Sequence, residues 1–200
     1  MRTVWMPDMD PEISAIADHI RSQLSGISGD RHHPMRLAWL ATSDQDGTAQ
    51  VRTIVIRETS NMPVSVSFFT DRRSPKWQET LRHKSGSLLL FDRLEMEQIR
   101  LLGVFEHRCQ TDCAAAWQAQ DAAARQLYSG PAPGTPRDPS VTAGLEPAPG
   151  ANPDSGKNNF GIIDLRVTAI DWLSISRTAH IRAIFDTTID THWSGHFVNP

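Results

Sequence analysis

The chain has 200 residues, 39% of them apolar and 22% charged, with a formal net charge of −3. That composition suits a soluble globular protein with one sizeable core, and its mixed, slightly acidic charge argues against a general nucleic-acid binder. No apolar run is long enough to span a bilayer, the first ten residues lack a secretory apolar region, and Cys109 and Cys113 make no disulfide framework, so free thiols in a reducing cytoplasm are expected.

Asp10 to Ser28 reads as an amphipathic helix. Ile13, Ile16, Ala17, Ile20 and Leu24 recur at helical spacing, with Asp10 as N-cap, Pro11 at the first helical position, and Gly26 and Gly29 at the end. Met35 to Ser43 and Thr48 to Arg57 read as two strands joined by an Asp-Gln-Asp-Gly turn. On the second, Arg52 shares a face with Ile54 and Ile56, whereas Arg57 points the other way. A guanidinium beside buried surface needs a partner, in the protein or in a ligand. The bland alternative is an edge arginine with its head in water.

Glu58 to Pro63 is expected to be a loop and Val64 to Thr70 a strand. That strand runs into Asp71-Arg72-Arg73-Ser74-Pro75-Lys76 and a short helix from Lys76 to His83. Three cations and two hydroxyls (Thr70, Ser74) at a strand-to-helix join suit a phosphate, because the first N–H groups of a helix are unpaired and its dipole favours an anion. Strands are expected at Gly86 to Asp92, buried on both faces, and at Met96 to His107. The latter carries Gln98 and Arg100 on one face and Gly103 as the site of a bulge or a close approach.

Thr111 to Tyr128 reads as one helix, and Gly130 to Lys157, rich in Pro, Gly, Ala and Ser, as a long loop. Asn159 to Ala169, Asp171 to Ser176 and His180 to Asp186 are the remaining strands, with His180 and Arg182 on one face. The tail contains His192 and His196, four residues apart. Six to eight mostly antiparallel strands with few long helices favour a barrel over an open sheet. There is no glycine-rich dinucleotide fingerprint, P-loop, zinc-protease motif or nucleophile elbow.

Four segments in this order, R-T-I-V-I-R (Arg52–Arg57), F-F-T-D-R-R-S-P-K (Phe68–Lys76), E-Q-I-R (Glu97–Arg100) and H-I-R (His180–Arg182), resemble the pyridoxamine 5′-phosphate oxidase family. More narrowly, the chain resembles its related FMN-binding proteins of unassigned substrate. The resemblance runs from about Arg36 to Phe185, interrupted by the long loop. It implies a mainly β (α+β) fold in a single domain, residues 1–200: an antiparallel split β-barrel with an N-terminal helix and a late helical insertion. It also implies a homodimer with FMN between the subunits.

Carried over by position, Arg52, Thr53, Ile54, Val55, Ile56 and Arg57 would line the flavin, and Phe69 and Thr70 would contact it at a strand end. Ser74 and Lys76 would hold the phosphate, with Arg72 or Arg73 standing in for an arginine the family carries where this chain has Pro75. Gln98 would meet the isoalloxazine edge with Arg100 beside it, and Arg182 would reach FMN from the closing strand. His180 is the candidate for substrate contact or proton handling; a histidine satisfied in the barrel wall is the alternative. No metal site is expected.

Two departures stand out. Thr178 occupies the position of the oxidases' substrate-phosphate arginine, and their Tyr-x-x-Arg-Pro substrate segment is not recognisable. FMN-dependent hydride transfer on a small molecule is therefore expected ahead of vitamin B6 oxidation. The alternative is a non-catalytic module holding flavin, haem or a deazaflavin, with His192 and His196 as the pair a haem would need; a vacant interaction barrel is a third reading.

Overall fold

The structure, a computed structural model, describes residues 9–136, 152, 154–175, 179–188 and 193–200. Helix α1 (Pro11–Gly29) starts where the sequence suggests, with the Asp10 side chain accepting the Glu12 N–H. Its buried stripe is Ile13, Ala17, Ile20, Leu24 and Ile27; Ile16 is only half covered. Strands β1 (Leu37–Ser43) and β2 (Ala49–Asn61) form the expected hairpin, preceded by a 3-10 turn at Pro34–Arg36. β2 runs on through Glu58–Asn61, where a loop was expected, because those residues pair with β3 (Val64–Asp71).

Helix α2 (Pro75–Arg82) follows, then β4 (Ser85–Asp92) and β5 (Glu97–His107). In β4 only Leu88, Leu90 and Asp92 are buried; the other face is half-covered, so burial on both faces does not hold. The expected helix over 111–128 is two helices, α3 (Gln110–Gln118) and α4 (Ala122–Gln126), because Asp121 interrupts the first and caps the second through the Ala124 N–H. The two strands expected over 159–176 are one, β6 (Phe160–Ile175), paired along its length with β5. β7 (His180–Asp186) lies where expected, and an unforeseen edge strand, β8 (Ser194–Val198), pairs with it.

The sheet order is β3-β2-β1-β4-β5-β6-β7-β8, and an additional antiparallel pairing of β3 with β6 closes the first six strands into a barrel. The fold is thus mainly β, a closed six-stranded antiparallel barrel with extra strands, an N-terminal helix and late helices. Inward residues such as Leu40, Ile56, Phe68, Leu90, Ile99 and Leu165 form one core with the stripe of α1. A second, smaller core of Cys113, Trp117, Phe160 and Ile162 seats α3 on the outside of β6.

Two bulges shape the barrel. Ile56 pairs with Phe68 and Glu58 with Ser67, so Arg57 is an extra residue on β2. On β6, Leu102 opposes Ala169 and Gly103 opposes Val167, leaving Thr168 as the extra residue. A Cβ on Gly103 would lie 2.1 Å from the Arg166 carbonyl oxygen, so both expectations for this glycine, bulge and close approach, hold. Gly103→Ala should lower stability by roughly 1–3 kcal/mol, read as a fall in the urea midpoint with an unchanged slope; an unaltered midpoint would contradict the close approach.

Candidate functional site

The end of the barrel beneath α2 collects polar side chains at positions the alternation turns inward. Thr42 from β1, Arg52 from β2 and Thr70 from β3 meet Glu79 and Lys76 from α2. Glu79 is buried, and its Oε2 accepts from the Thr42 hydroxyl at 2.5 Å and from Arg52 Nη2 at 2.7 Å. Arg52 Nη1 also donates to the Thr42 oxygen. The partner that Arg52 requires is therefore within the protein, on the helix that covers this end of the barrel.

Lys76 lies one helical turn before Glu79. Its ammonium donates to Thr70 Oγ1 at 3.2 Å, and no carboxylate salt-bridges it among the described residues. Burial, aided by the nearby Arg52 charge, holds its pKa below the ordinary value. Thr70 Oγ1 lies 3.2 Å from Ser74 Oγ, which donates to the Asp71 carbonyl at 2.6 Å. Ser74 is the N-cap residue of α2 but makes no side-chain cap, so Pro75 opens the helix and the first-turn N–H groups keep their dipole end free of a carboxylate. A desolvated cation, two hydroxyls and a helix start are the donors that an anion would use.

Arg73 is committed elsewhere. Its guanidinium grips the Asp71 carboxylate, with Nη2 to Oδ2 at 2.7 Å and Nε to Oδ1 at 3.0 Å, and reaches the Gly130 and Tyr128 carbonyls. It ties the α2 turn to the end of the helical insertion. Arg72 extends over the Trp77 ring, 5.1 Å from the centroid.

Arg57, the bulged residue, is turned to the opposite face. Its guanidinium lies over Phe69 at 5.3 Å, and its buried Nε has no hydrogen-bond partner among the described residues. Burial lowers its pKa. Around it stand Phe69, Phe160, Trp117 and Tyr128, in edge-on or tilted contact at 5.0 to 5.9 Å. Burial pushes the Tyr128 phenol up to about 12, so it stays a neutral donor at any ordinary pH. A guanidinium whose Nε has no partner among the described residues, beside an aromatic cluster, has the chemistry to receive an anionic group.

Thr53 and Val55 occupy the outer face of β2, while Ile54 and Ile56 are buried inward. Gln98 and Arg100 share the outer face of β5, as their spacing predicts. Arg100 and Arg182 both salt-bridge Asp171, Arg182 Nη2 at 2.7 Å. Asp171 is 3% exposed; the Arg182 hydrogen bonds and the Arg100 charge hold its carboxyl below the usual range. His180, on the same face as Arg182, is exposed at the start of β7. Thr178, His192 and most of the 130–157 loop lie outside the described residues; the loop's near end is held by Arg73 and its far end by Trp117 Nε1 donating to Asp154 at 2.8 Å.

The structure thus brings Arg52, Thr70, Ser74 and Lys76 together, sets Arg57 with Phe69, and groups Gln98 and Arg100 with Arg182. Sequence reading missed Glu79, Thr42 and Asp171, the residues that hold these arginines. Asp171 carried a signal, an acid inside the apolar run A-I-D-W-L. Glu79 and Thr42 carried none, because their contact with Arg52 depends on where α2 folds back.

Residues 13–107 match the family model described as pyridoxamine 5′-phosphate oxidase, FMN-binding domain. Over 81 residues the chain is 31% identical to the pyridoxine/pyridoxamine 5′-phosphate oxidase of Bartonella henselae, an overlap of 40% of this chain and 38% of that protein. The chain therefore matches well under half the length of this curated relative. Among solved structures, a pyridoxamine 5′-phosphate oxidase-related, FMN-binding protein of Nostoc punctiforme superposes with a TM-score of 0.73 at 25% identity, covering 96% of this chain and 100% of the other. PhzG of Burkholderia lata, solved with tetrahydrophenazine-1-carboxylic acid, shares the fold with a TM-score of 0.72 at 18% identity, covering 98% of each chain.

Removing the Glu79 carboxylate strands Arg52 in a half-buried position. Glu79→Ala should cost roughly 1–3 kcal/mol, and Glu79→Gln, which keeps an acceptor, less. Equal urea midpoints for the two variants would contradict this role.

Proposed function

From the match of residues 13–107 to a pyridoxamine 5′-phosphate oxidase-type FMN-binding domain, we propose that the protein is an FMN-dependent oxidoreductase acting on a small molecule. The single observation that carries the cofactor is Lys76: a desolvated ammonium with no acidic partner among the described residues, beside Thr70, Ser74 and the start of α2. A flavin phosphate, nearly dianionic at neutral pH, supplies the charge this cluster lacks. The residues present therefore fit the group.

Lys76, Thr70 and Ser74 hold the phosphate, and Glu79 fixes Arg52 behind them. Arg52 to Ile56 flank the cofactor along β2, Phe69 meets it at the end of β3, and the Gln98 amide addresses its polar edge, with Arg100 alongside. When bound, FMN supplies two-electron redox chemistry with a hydride donor or acceptor. Asp171 holds Arg100 and Arg182 in fixed directions, so both cations are positioned before any ligand arrives. Arg57, set apart from the phosphate cluster by the bulge, is free to grip an anionic group of the substrate. His180 handles the substrate proton. The alternative, a flavin-holding module without its own substrate, draws on the absence of any hydrogen-bonded group orienting His180 among the described residues.

The outer face of the hairpin suggests the partner. Leu37, Trp39 and Val51 are 56%, 39% and 66% exposed, and they stand beside Val55, Thr53 and Ala41 in register. A contiguous apolar sheet face next to Gln98 and Arg100 suits a second copy of the chain, which would cover the face and enclose the flavin. No helix among the described residues is long and apolar enough to cross a membrane; the free Cys109 and Cys113 fit a reducing cytoplasm.

The purified protein should be yellow, with heat-released FMN near one per chain. Lys76→Met should fold yet lose at least about 90% of the FMN, a loss of more than tenfold in affinity. A colourless protein that takes up no added FMN would sink the reading. Alkaline pH should act in the same direction. Because the folded pKa of Lys76 lies below its ordinary 10.5, the ammonium loses its proton before that value is reached, and FMN retention should fall as pH rises through this window. Lys76→Arg should abolish that alkaline loss. In sedimentation, Trp39→Glu should convert a dimer into a monomer; a wild-type monomer would remove the partner from the proposal.

A further inference from the structure

A trough runs along α1 on a side of the barrel the flavin reading does not use. Glu12, Ala15, Ile16, His19 and Gln23 follow one another at helical spacing, so they form a single stripe facing β5 to β8. The N-terminal end of the trough is a groove of about 510 Å³ walled by Ala15, Ile16, Ile181 and Phe197. The other end is a cavity of about 530 Å³ whose walls include His19, Gln23, Glu95 and Ser174 around Glu97. Trp172 borders both. Each is the size of a small-ligand site.

Glu97 sets the chemistry. It is 3% exposed. Its Oε1 accepts from His19 Nε2 at 2.8 Å and from the Trp172 indole N–H. Its Oε2 is buried and has no partner among the described residues. A buried carboxylate oxygen left unpaired is costly, and a charged N–H donor satisfies it best. The neighbouring Glu95 adds a second negative charge, and no lysine or arginine among the described residues lines either end.

We propose that this trough binds an organic ammonium ion carrying an apolar tail. The ammonium sits beside the Glu97 carboxylate, drawn by its charge and by that of Glu95, and the tail lies against Ile16, Trp172, Ile181 and Phe197. Charge complementarity selects the cation, and the half-exposed apolar walls select the tail. This site is separate from the Lys76 cluster and does not depend on the flavin.

Calorimetric titration of the full chain with 2-phenylethylammonium tests it, with 3-phenylpropionate as a probe of similar body and opposite charge. The amine should bind one per chain at millimolar concentration or below, about −4 kcal/mol or better, and the carboxylate should not. Glu97→Gln should weaken the amine at least about tenfold, because the ammonium loses its counter-charge. Ile181→Lys, at an exposed position, should abolish binding while circular dichroism stays unchanged, which covers the case of a Glu97 variant that does not fold. Lys76→Met should leave amine binding intact, so a failure of the flavin reading is distinguishable. Absence of heat, equal binding of the two probes, tolerance of Ile181→Lys, or amine-induced dissociation of a dimer without one-to-one binding would each overturn the proposal.

Discussion

Everything at the functional end depends on the pairing of β3 with β6. Seven residue pairs, from Ser65 with Arg166 to Asp71 with Phe160, close a sheet that would otherwise be open. Closure removes two edges and their unpaired backbone groups. It also fixes where β3 ends, and hence where the Asp71–Ser74 turn and α2 sit. Arg72 N–H donates to the Asn159 carbonyl at 2.7 Å, so the turn is stitched to the residue just before β6. The inward positions at that end, Thr42, Arg52 and Thr70, then face a helix rather than water.

The cations divide cleanly under this geometry. Arg52, Arg73, Arg100, Arg108 and Arg182 each salt-bridge a carboxylate. Arg108 is the most committed: its hydrogen bonds to Asp164 and Glu58 raise its pKa, and it also donates to Ser67 at 2.7 Å, tying β5's exit to β3 and β6. These arginines act as rivets. Lys76 and Arg57 are desolvated with no carboxylate salt-bridged to them among the described residues, and burial lowers the pKa of both. A protein tolerates such groups at some cost in stability, and the cost is recovered only when an anion arrives. That contrast sets Lys76 and Arg57 apart from the other basic residues.

Much of this was legible in the sequence where local rules suffice. Asp10-Pro11 and the apolar stripe gave α1 to within a residue at either end. Alternation placed Arg52 with Ile54 and Ile56, and Gln98 with Arg100. The strand-to-helix join brought Thr70, Ser74 and Lys76 together, and mid-strand Gly103 announced a bulge. What escaped was non-local. The break between α3 and α4 turns on Asp121 preferring to cap. β8, with its mixed S-G-H-F-V pattern, is a strand only because β7 offers it an edge. Glu79 and Asp171 matter through partners 27 and 11 residues away in sequence, in Arg52 and Arg182.

The β2 bulge has a consequence for how such a site evolves. Strand alternation ordinarily couples every side chain to its neighbours, so adding or removing one residue inverts the faces of all that follow. Arg57 escapes this coupling. With Ile56 already paired to Phe68 and Glu58 to Ser67, loss of the single codon between them would restore a regular ladder and leave both flanking halves facing as before. The guanidinium is thus a detachable unit of inheritance. A lineage can acquire or discard this buried cation in one insertion or deletion, without renegotiating the barrel that carries it.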